Sequence, residues 1–327
     1  MYSNLRLLTI TIVLVLVSHG AAAASYPYPL QDFRFESQQQ TLTMRYLDVE
    51  PQSGTQDRGT ALLLHGKNFC AAYWQGTMRT LLDAGYRVVA PEQIGFCSSS
   101  LPRGYEYSFH QLADNTRGLL DSLDLDRVIV LGHSMGGMLA TRFALMYPQR
   151  VDQLLLLDPI GLEDWKALGV PYQTVDTWYA AQRKIDFESI KRYQLASYYD
   201  GQWTPNYERW ARQLAALYSG PQADDIAWSQ ALTYDMVYTQ PVVYEFDQLQ
   251  MPTVLMIGLR DRTALGKNLV SEAQAKSLGD YPQLGPRIVA RIPDAKLVEF
   301  EGLGHLPHIE APQRFYEALL NALGPSS

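Results

Sequence analysis

The sequence contains only two cysteines among 327 residues, no excess of basic residues and no second long apolar run. The net charge of −7 argues against a nucleic-acid partner, because proteins that bind nucleic acid present basic surfaces. After the N-terminal segment no apolar stretch approaches membrane-spanning length, so we expect a soluble mature protein with no stable membrane insertion. The chain also lacks a His-Glu-x-x-His pattern and a cysteine cluster, so neither a metal nor a cofactor is predicted.

The N-terminus has the pattern of a secretory signal. Arg6 precedes an apolar run at residues 7–17, and four alanines follow at residues 21–24. A charged residue, a short apolar segment and small residues around a cleavage point are typical of signal peptides. We therefore predict a signal peptide over residues 1–24 and an exported protein, periplasmic or secreted. The alternative is an uncleaved membrane anchor, for which the run is short.

Both cysteines, Cys70 and Cys97, belong to the part of the chain that would be exported. An even number of cysteines in an oxidising compartment favours a disulfide. Each cysteine follows a predicted strand, at residues 60–64 and 86–90, so both would lie at the same end of a sheet. We predict a Cys70–Cys97 disulfide; the alternative is a pair of independent buried thiols.

Short apolar runs recur along the chain with helical patterns between them. The runs that predict buried strands lie at residues 61–64, 87–90, 128–131, 154–157, 253–258 and 297–300, and residues 32–36 and 42–49 alternate apolar and polar residues as half-buried strands do. The clearest helical pattern begins at Ser108, with Gln111 three residues on as a capping box. Continuous apolar runs suit strands covered on both faces, and their alternation with helices indicates an α/β fold with a doubly wound, mostly parallel sheet.

The long interval between the strands at 154–157 and 253–258 interrupts this alternation. It contains five of the six tryptophans and helix-like segments with few strand signals. We interpret residues 162–244 as a helical cap inserted into a core formed by residues 25–161 and 245–327. The aromatic residues would line an apolar or aromatic pocket, or form the core of the cap itself.

One serine lies in a setting that favours nucleophilic catalysis. Ser134 is the central residue of Gly-His-Ser-Met-Gly at positions 132–136, directly after a predicted strand and before a helical pattern. A strand, a sharp turn and a helix around Gly-x-Ser-x-Gly form the elbow that exposes a serine hydroxyl at the edge of a parallel sheet. Ser134 is therefore the predicted nucleophile.

A serine hydroxyl is a weak nucleophile at its own pKa, so it needs a base and an orienting acid. His305 follows the last predicted strand in Gly-Leu-Gly-His, where a loop can bring an imidazole to the sheet edge. The other histidines fit less well: His19, His65, His110, His133 and His308. The acid should come between serine and histidine after a strand, which favours Asp261, with Asp158 as the alternative.

Acyl transfer also requires hydrogen-bond donors for the oxyanion. We predict the backbone N–H of Met135, directly after the nucleophile, and the N–H of Lys67 in the loop after the strand at 61–64. The amino group of Lys67 is expected to be solvated, with attraction of an anionic substrate group as the alternative.

These segments together resemble the α/β-hydrolase fold, in its capped, single-domain serine esterase form. The matching pieces are His65-Gly66 with Trp74, residues 91–95, 132–137 and 258–261, and Gly304-His305 with Glu310 and Pro312. The resemblance implies the triad Ser134, Asp261 and His305, and a serine nucleophile argues against epoxide hydrolases and haloalkane dehalogenases. The segment at 65–70 departs from the usual apolar residue or proline after His-Gly.

The expected activity is hydrolysis of a small or medium acyl substrate, a carboxylic ester or lactone, through an acyl-enzyme on Ser134. The alternatives are an aminopeptidase or amidase of the same fold, and a ligand-binding module without catalysis. A peptidase would need a carboxylate near the substrate amine, for which Glu163 and Asp164 are candidates.

Overall fold

The structure is a computed structural model that describes residues 26–324. The predicted signal peptide, residues 1–24, lies outside the described residues. Within residues 26–324 no helix has the length and apolar character needed to cross a membrane.

An eight-stranded sheet in the order β1-β2-β4-β3-β5-β6-β7-β8 forms the centre of the protein. The strands are β1 (Gln31–Ser37), β2 (Gln40–Val49), β3 (Thr60–Leu64), β4 (Arg87–Pro91), β5 (Val128–His133), β6 (Val151–Leu157), β7 (Thr253–Gly258) and β8 (Ala295–Phe300). The hairpin β1–β2 is antiparallel, β2 joins β4 antiparallel, and every other neighbouring pair is parallel. The predicted α/β fold with a mostly parallel sheet is confirmed.

Helices cover both faces of this sheet. They are α1 (Gln75–Asp83), α2 (Phe109–Ser122), α3 (Met135–Met146), α4 (Val175–Gln182), α5 (Phe187–Ser197), α6 (Pro205–Leu217), α7 (Ala223–Thr239), α8 (Glu272–Ser277), α9 (Tyr281–Val289), α10 (Pro307–Glu310) and α11 (Pro312–Leu323). Successive side chains of a strand point to opposite faces, so Leu62 packs in a core with α2, α3 and α9, and Leu63 in a core with α1 and α11. Two buried faces explain why the central strands are almost continuously apolar.

Helix α2 differs in one detail from the prediction. The Ser108 hydroxyl accepts a hydrogen bond from the Gln111 N–H, as an N-cap does. The Gln111 side chain does not return a bond to Ser108, because its Nε2 donates to Asn115 Oδ1 one turn further on. The predicted capping box is therefore only half formed.

Helices α4 to α7 lie between β6 and β7, in the interval where the sequence predicts an insertion. The cap bounds of residues 162–244 remain a prediction. The aromatic residues of this segment have more than one role, because Trp210 is buried while Trp178 stacks on Tyr234 beside a cavity.

The predicted disulfide between Cys70 and Cys97 is present, with the two Cα atoms 5.7 Å apart. Cys70 lies in the loop after β3 and Cys97 in the loop after β4, at the carboxyl end of both strands. The bond therefore ties together two loops at one edge of the sheet.

Replacing both cysteines by alanine should lower the free energy of unfolding by about 3.5 kcal/mol, because the bond closes a loop with a sequence separation of 27. Urea unfolding of the oxidised wild type and of the double variant measures this difference. Equal midpoints and slopes for the two proteins would contradict the prediction. Reduced wild type, unfolded in the presence of reductant, is the control and should resemble the variant.

Candidate active site

Ser134 occupies a sharp turn between β5 and α3. Its φ of 57° lies in the left-handed region, which is strained for a residue with a side chain. Three backbone hydrogen bonds hold this conformation: Ser134 N–H donates to Leu157 O at 3.1 Å, and Ser134 O accepts the N–H groups of Gly137 at 2.9 Å and Ile160 at 3.2 Å. This is the geometry of a nucleophile elbow, with Ser134 7% exposed at the carboxyl edge of the sheet.

Glycine is required where the backbone passes close to this turn. A Cβ on Gly136 would lie 2.1 Å from Leu64 O, closer than any real contact, so α3 can approach β3 only without a side chain there. A Cβ on Gly66 would lie 3.1 Å from Ser134 Cβ. The loop after β3 therefore runs directly beside the serine.

His305 and Asp261 form a buried hydrogen bond behind the serine. His305 Nδ1 lies 2.6 Å from Asp261 Oδ2, and both side chains are fully buried. Asp261 Oδ1 accepts the N–H of Thr263, which fixes the carboxylate. Because the carboxylate accepts a hydrogen bond from Nδ1–H, Nε2 of His305 is the nitrogen free to accept a proton.

Within residues 26–324, His305 Nε2 has no hydrogen-bond partner, Ser134 included. Hydrogen bonds of this kind are often long without substrate and tighten in the bound complex. The structure thus brings Asp261 and His305 together and places Ser134 at the same sheet edge.

An ion pair joins the loops that carry these two residues. The Arg260 guanidinium binds the Glu310 carboxylate, and Glu310 Oε1 accepts the N–H of Gly304 at 2.8 Å. Arg260 also donates to Gly302 O. Arg260 and Glu310 both lie in segments that carry the family resemblance, but their pairing was not predicted.

Asp158, the alternative acid, lies beside Asp261 and does not hydrogen bond to His305. Its Oδ1 accepts the N–H of Gly258 at 2.8 Å, and the side chain is fully buried. Burial, followed by the neighbouring charge of Asp261, raises the pKa of the Asp158 carboxyl well above its usual range. Burial and the neighbouring Asp261 therefore both favour the neutral, protonated form of the Asp158 carboxyl.

The other described histidines have different surroundings. His110 is exposed. His65 donates to Gly66 O and accepts from Gln93 N–H, and burial lowers its pKa to about 4. Burial also lowers the pKa of His308 to about 3. These imidazoles are neutral near pH 7, and the two hydrogen bonds of His65 hold the loop after β3 to the end of β4.

His133 belongs to a chain of hydrogen bonds that the sequence analysis missed. Its Nε2 lies 2.9 Å from the carbonyl oxygen of His305, and its Nδ1 lies 3.0 Å from the Tyr73 hydroxyl. Because a carbonyl only accepts, Nε2 carries the proton and Nδ1 accepts from Tyr73. The Tyr73 oxygen in turn accepts the Gly66 N–H at 3.2 Å. This relay joins the loop after β3 to the backbone of His305.

Met135 and Lys67, the predicted oxyanion donors, both lie beside Ser134. Met135 is the first residue of α3, and the first N–H groups of a helix have no intrahelical acceptor. Lys67 follows Gly66, whose Cα faces Ser134. Their roles as donors remain a prediction.

The expectation that the Lys67 amino group is solvated is wrong. The residue is 9% exposed, and its Nζ donates to Gln230 Oε1 at 2.7 Å. It also lies 3.6 Å from the centroid of the Tyr234 ring. Both partners come from α7, which packs over the loop after β3.

Ser134 opens into a cavity of about 390 Å³ between the sheet edge and the inserted helices. Its lining contains the aromatic side chains Trp165, Trp178, Tyr193, Tyr198 and Tyr234. The cavity is also lined by three cationic residues, Lys67, Arg262 and Lys267. No carboxylate of residues 26–324 lines it. Glu163 binds Trp165 Nε1 and Gly279 N–H, and Asp164 caps a turn at Lys166, so both lie outside the lining.

Cys70, Cys97 and Glu92 are close enough together to resemble a metal site. The two sulfur atoms form the disulfide. The Glu92 carboxylate accepts hydrogen bonds from the Tyr26 hydroxyl and from the N–H groups of Ala71 and Ser98. The ligand atoms of this group are therefore already occupied.

Residues 61–312 match the sequence model of the alpha/beta hydrolase fold. This match covers most of the chain, so the protein belongs to the alpha/beta hydrolase fold family. The elbow at Ser134 and the Asp261–His305 pair lie where that fold places a catalytic site.

Individual relatives agree with this assignment. A probable hydrolytic enzyme from Pseudomonas aeruginosa PAO1 is 53% identical, with a TM-score of 0.90 over 92% of this chain and 96% of that one. An esterase from Exiguobacterium antarcticum, 18% identical with a TM-score of 0.68 over 87% of this chain and 97% of that one, shares the fold. A 2-hydroxy-6-oxo-2,4-heptadienoate hydrolase from Pseudomonas putida is 35% identical, but the match covers only 31% of this chain and 37% of that protein.

Replacing Asp261 by asparagine should lower kcat by about 10⁴, because the amide can no longer hold His305 in the required tautomer. Asp158→Asn should change kcat far less, since asparagine is an isostere of the neutral acid. Initial rates with a p-nitrophenyl ester compare the two variants. A larger loss for Asp158→Asn than for Asp261→Asn would assign the acid role to Asp158.

Replacing Tyr73 by phenylalanine should lower kcat between about tenfold and a hundredfold with KM nearly unchanged, because small displacements of reacting groups are costly. The change removes the acceptor of Gly66 N–H and the donor to His133, which loosens the loop beside Ser134. Tyr244→Phe is the matched control, since Tyr244 is 57% exposed and its hydroxyl donates to Asp164. Equal kcat values for the two variants would refute a positioning role for the relay.

Proposed function

We propose that this protein is an exported serine hydrolase that cleaves a carboxylic ester or lactone through an acyl-enzyme on Ser134. The observation that carries the proposal is the buried hydrogen bond of 2.6 Å between His305 and Asp261 at the sheet edge where Ser134 occupies its strained turn. A serine at the same sheet edge as a base with a free nitrogen, which a carboxylate orients, has the features of a nucleophile that can be activated.

In the proposed reaction, Ser134 Oγ attacks the acyl carbon while His305 Nε2 takes the hydroxyl proton. Asp261 holds the imidazole ring and stabilises the positive charge that it acquires. The N–H groups of Met135 and Lys67 bind the oxyanion of the tetrahedral intermediate. His305 then gives the proton to the departing alkoxide, which leaves the acyl group on Ser134.

Hydrolysis of the acyl-enzyme repeats these steps with water as the nucleophile. His305 Nε2 removes a proton from water, which attacks the acyl carbon, and returns that proton to Ser134 Oγ as the acid product leaves. No other residue has to change its protonation state. Burial favours the neutral forms of Asp158, His133 and His308, which agrees with a mechanism in which His305 alone moves protons.

The charge of the cavity favours an ester or lactone over an aminopeptidase substrate. An aminopeptidase needs a carboxylate to meet the substrate α-ammonium, and no carboxylate of the described residues lines the cavity. The three cationic lining residues would instead repel an ammonium group. The two carboxylates that the sequence analysis considered for this task, Glu163 and Asp164, are occupied elsewhere.

Export is part of the proposal and rests on separate observations. The N-terminal pattern at residues 1–24 is typical of a signal peptide. A disulfide persists in the oxidising compartments that exported proteins reach.

The mature protein should hydrolyse p-nitrophenyl esters, with a maximum of kcat/KM at an acyl length that the cavity accommodates. Ser134→Ala should lose this turnover almost entirely, because the nucleophile is removed. Matched p-nitroanilides, measured in parallel, separate ester from amide hydrolysis. Residual rates in Ser134→Ala equal to wild type would refute the serine mechanism, and faster cleavage of the anilides would favour the amidase alternative.

A further inference from the structure

Lys67 is a buried amine beside the nucleophile. The residue is 9% exposed, and it lines the same cavity as Ser134. Its amino group contacts two neutral groups, the carboxamide oxygen of Gln230 and the face of the Tyr234 ring, and no carboxylate of residues 26–324 forms an ion pair with it. Burial lowers the pKa of the Lys67 amine well below the usual range of lysine.

An uncompensated buried ammonium is costly, because desolvation is offset only by a charge partner or by strong hydrogen bonds. If Lys67 only linked the loop after β3 to α7, a neutral side chain at this position would do so equally well. Gln230 does not supply the missing charge: its Nε2 faces Gly95 O, which directs its neutral oxygen to Lys67. A carboxylate in the cavity would supply the missing partner and stabilise the protonated form of the Lys67 amine.

The other two cations of the cavity are better satisfied. Arg262 lies 3.7 Å from the Asp280 carboxylate. Lys267 donates to the carbonyl oxygens of Arg262 and Leu278. Both nevertheless add positive potential to a cavity without a carboxylate among the described residues, in a protein of net charge −7. The positive potential of the cavity attracts anions to one place on a protein that is acidic overall.

We infer that the acyl part of the substrate carries a second carboxylate, which binds Lys67 Nζ while the ester or lactone carbonyl lies at Ser134. The inference rests on the proposed function, because it names the substrate class of the same site. The backbone N–H of Lys67 and its ammonium then act on the two ends of one acyl chain. A half-ester of a dicarboxylic acid, or a lactone bearing a carboxylate, has the required chemistry.

The test compares two esters of equal shape and different charge. Mono-p-nitrophenyl adipate carries the carboxylate, and the p-nitrophenyl ester of adipic monoamide is its neutral isostere. Adipate is chosen because shorter half-esters are cleaved by their own carboxylate. Wild type should show a kcat/KM at least about tenfold higher for the adipate, as expected for a charge-assisted hydrogen bond in a buried site.

Two variants remove the free ammonium in different ways. Lys67→Met keeps the backbone N–H and the length of the side chain and should bring the ratio of the two kcat/KM values close to one. Gln230→Glu keeps the lysine but gives it an internal carboxylate, so the ratio should also fall, whereas a purely structural link would be strengthened. Lys276→Met is the matched control, because Lys276 is 75% exposed on α8 and outside the cavity.

The outcomes separate this inference from the proposed function. Turnover of both esters without preference for the adipate, or a preference that survives in Lys67→Met, would overturn the inference and leave ester hydrolysis intact. If folded wild type cleaves neither ester, ester hydrolysis fails. Calorimetric titration of Ser134→Ala with the adipate ester then decides: binding that is lost with Lys67→Met supports an anionic ligand, and equal binding of the two esters overturns it.

Discussion

The backbone of Ser134 lies at a φ of 57° between β5 and α3, and the positions of the other site residues follow from this turn. The turn is possible because Gly136 lets α3 approach β3. It places the serine at the carboxyl edge of a parallel sheet, where the loops after β3, β7 and β8 begin. These loops carry Lys67, Asp261 and His305, of which the first and last are separated by nearly three quarters of the chain.

Several buried bonds hold these loops in place around the serine. The disulfide joins the loops after β3 and β4, and the ion pair of Arg260 and Glu310 joins those after β7 and β8. The relay through Tyr73 and His133 connects the first of these loops to the backbone of His305. The site therefore depends on groups that never touch substrate. Such supporting bonds keep reacting groups within the small tolerances that catalysis needs.

The strands and the nucleophile could be predicted because their signals are local. A run of apolar residues or a Gly-x-Ser-x-Gly turn is complete within a few positions, and the parallel order of the sheet follows from alternation with helices. The half-formed capping box shows the limit of such signals. The Gln111 side chain could bond to Ser108 or to Asn115, and the sequence pattern does not indicate that it bonds to Asn115. The choice between Asp261 and Asp158 likewise depended on distance, since both end neighbouring strands.

The fold class, the turn at Ser134 and the residues that could supply a base and an acid are evident from the chain, because hydrophobic period and glycine spacing act within one element. Long-range packing selects the carboxylate that binds His305, joins two loops through His133 and buries Lys67. The expectation for Lys67 was wrong because its surroundings, Gln230 and Tyr234, come from a helix more than 150 residues away along the chain. Burial, and with it the pKa of an amine, is a property of packing between distant segments.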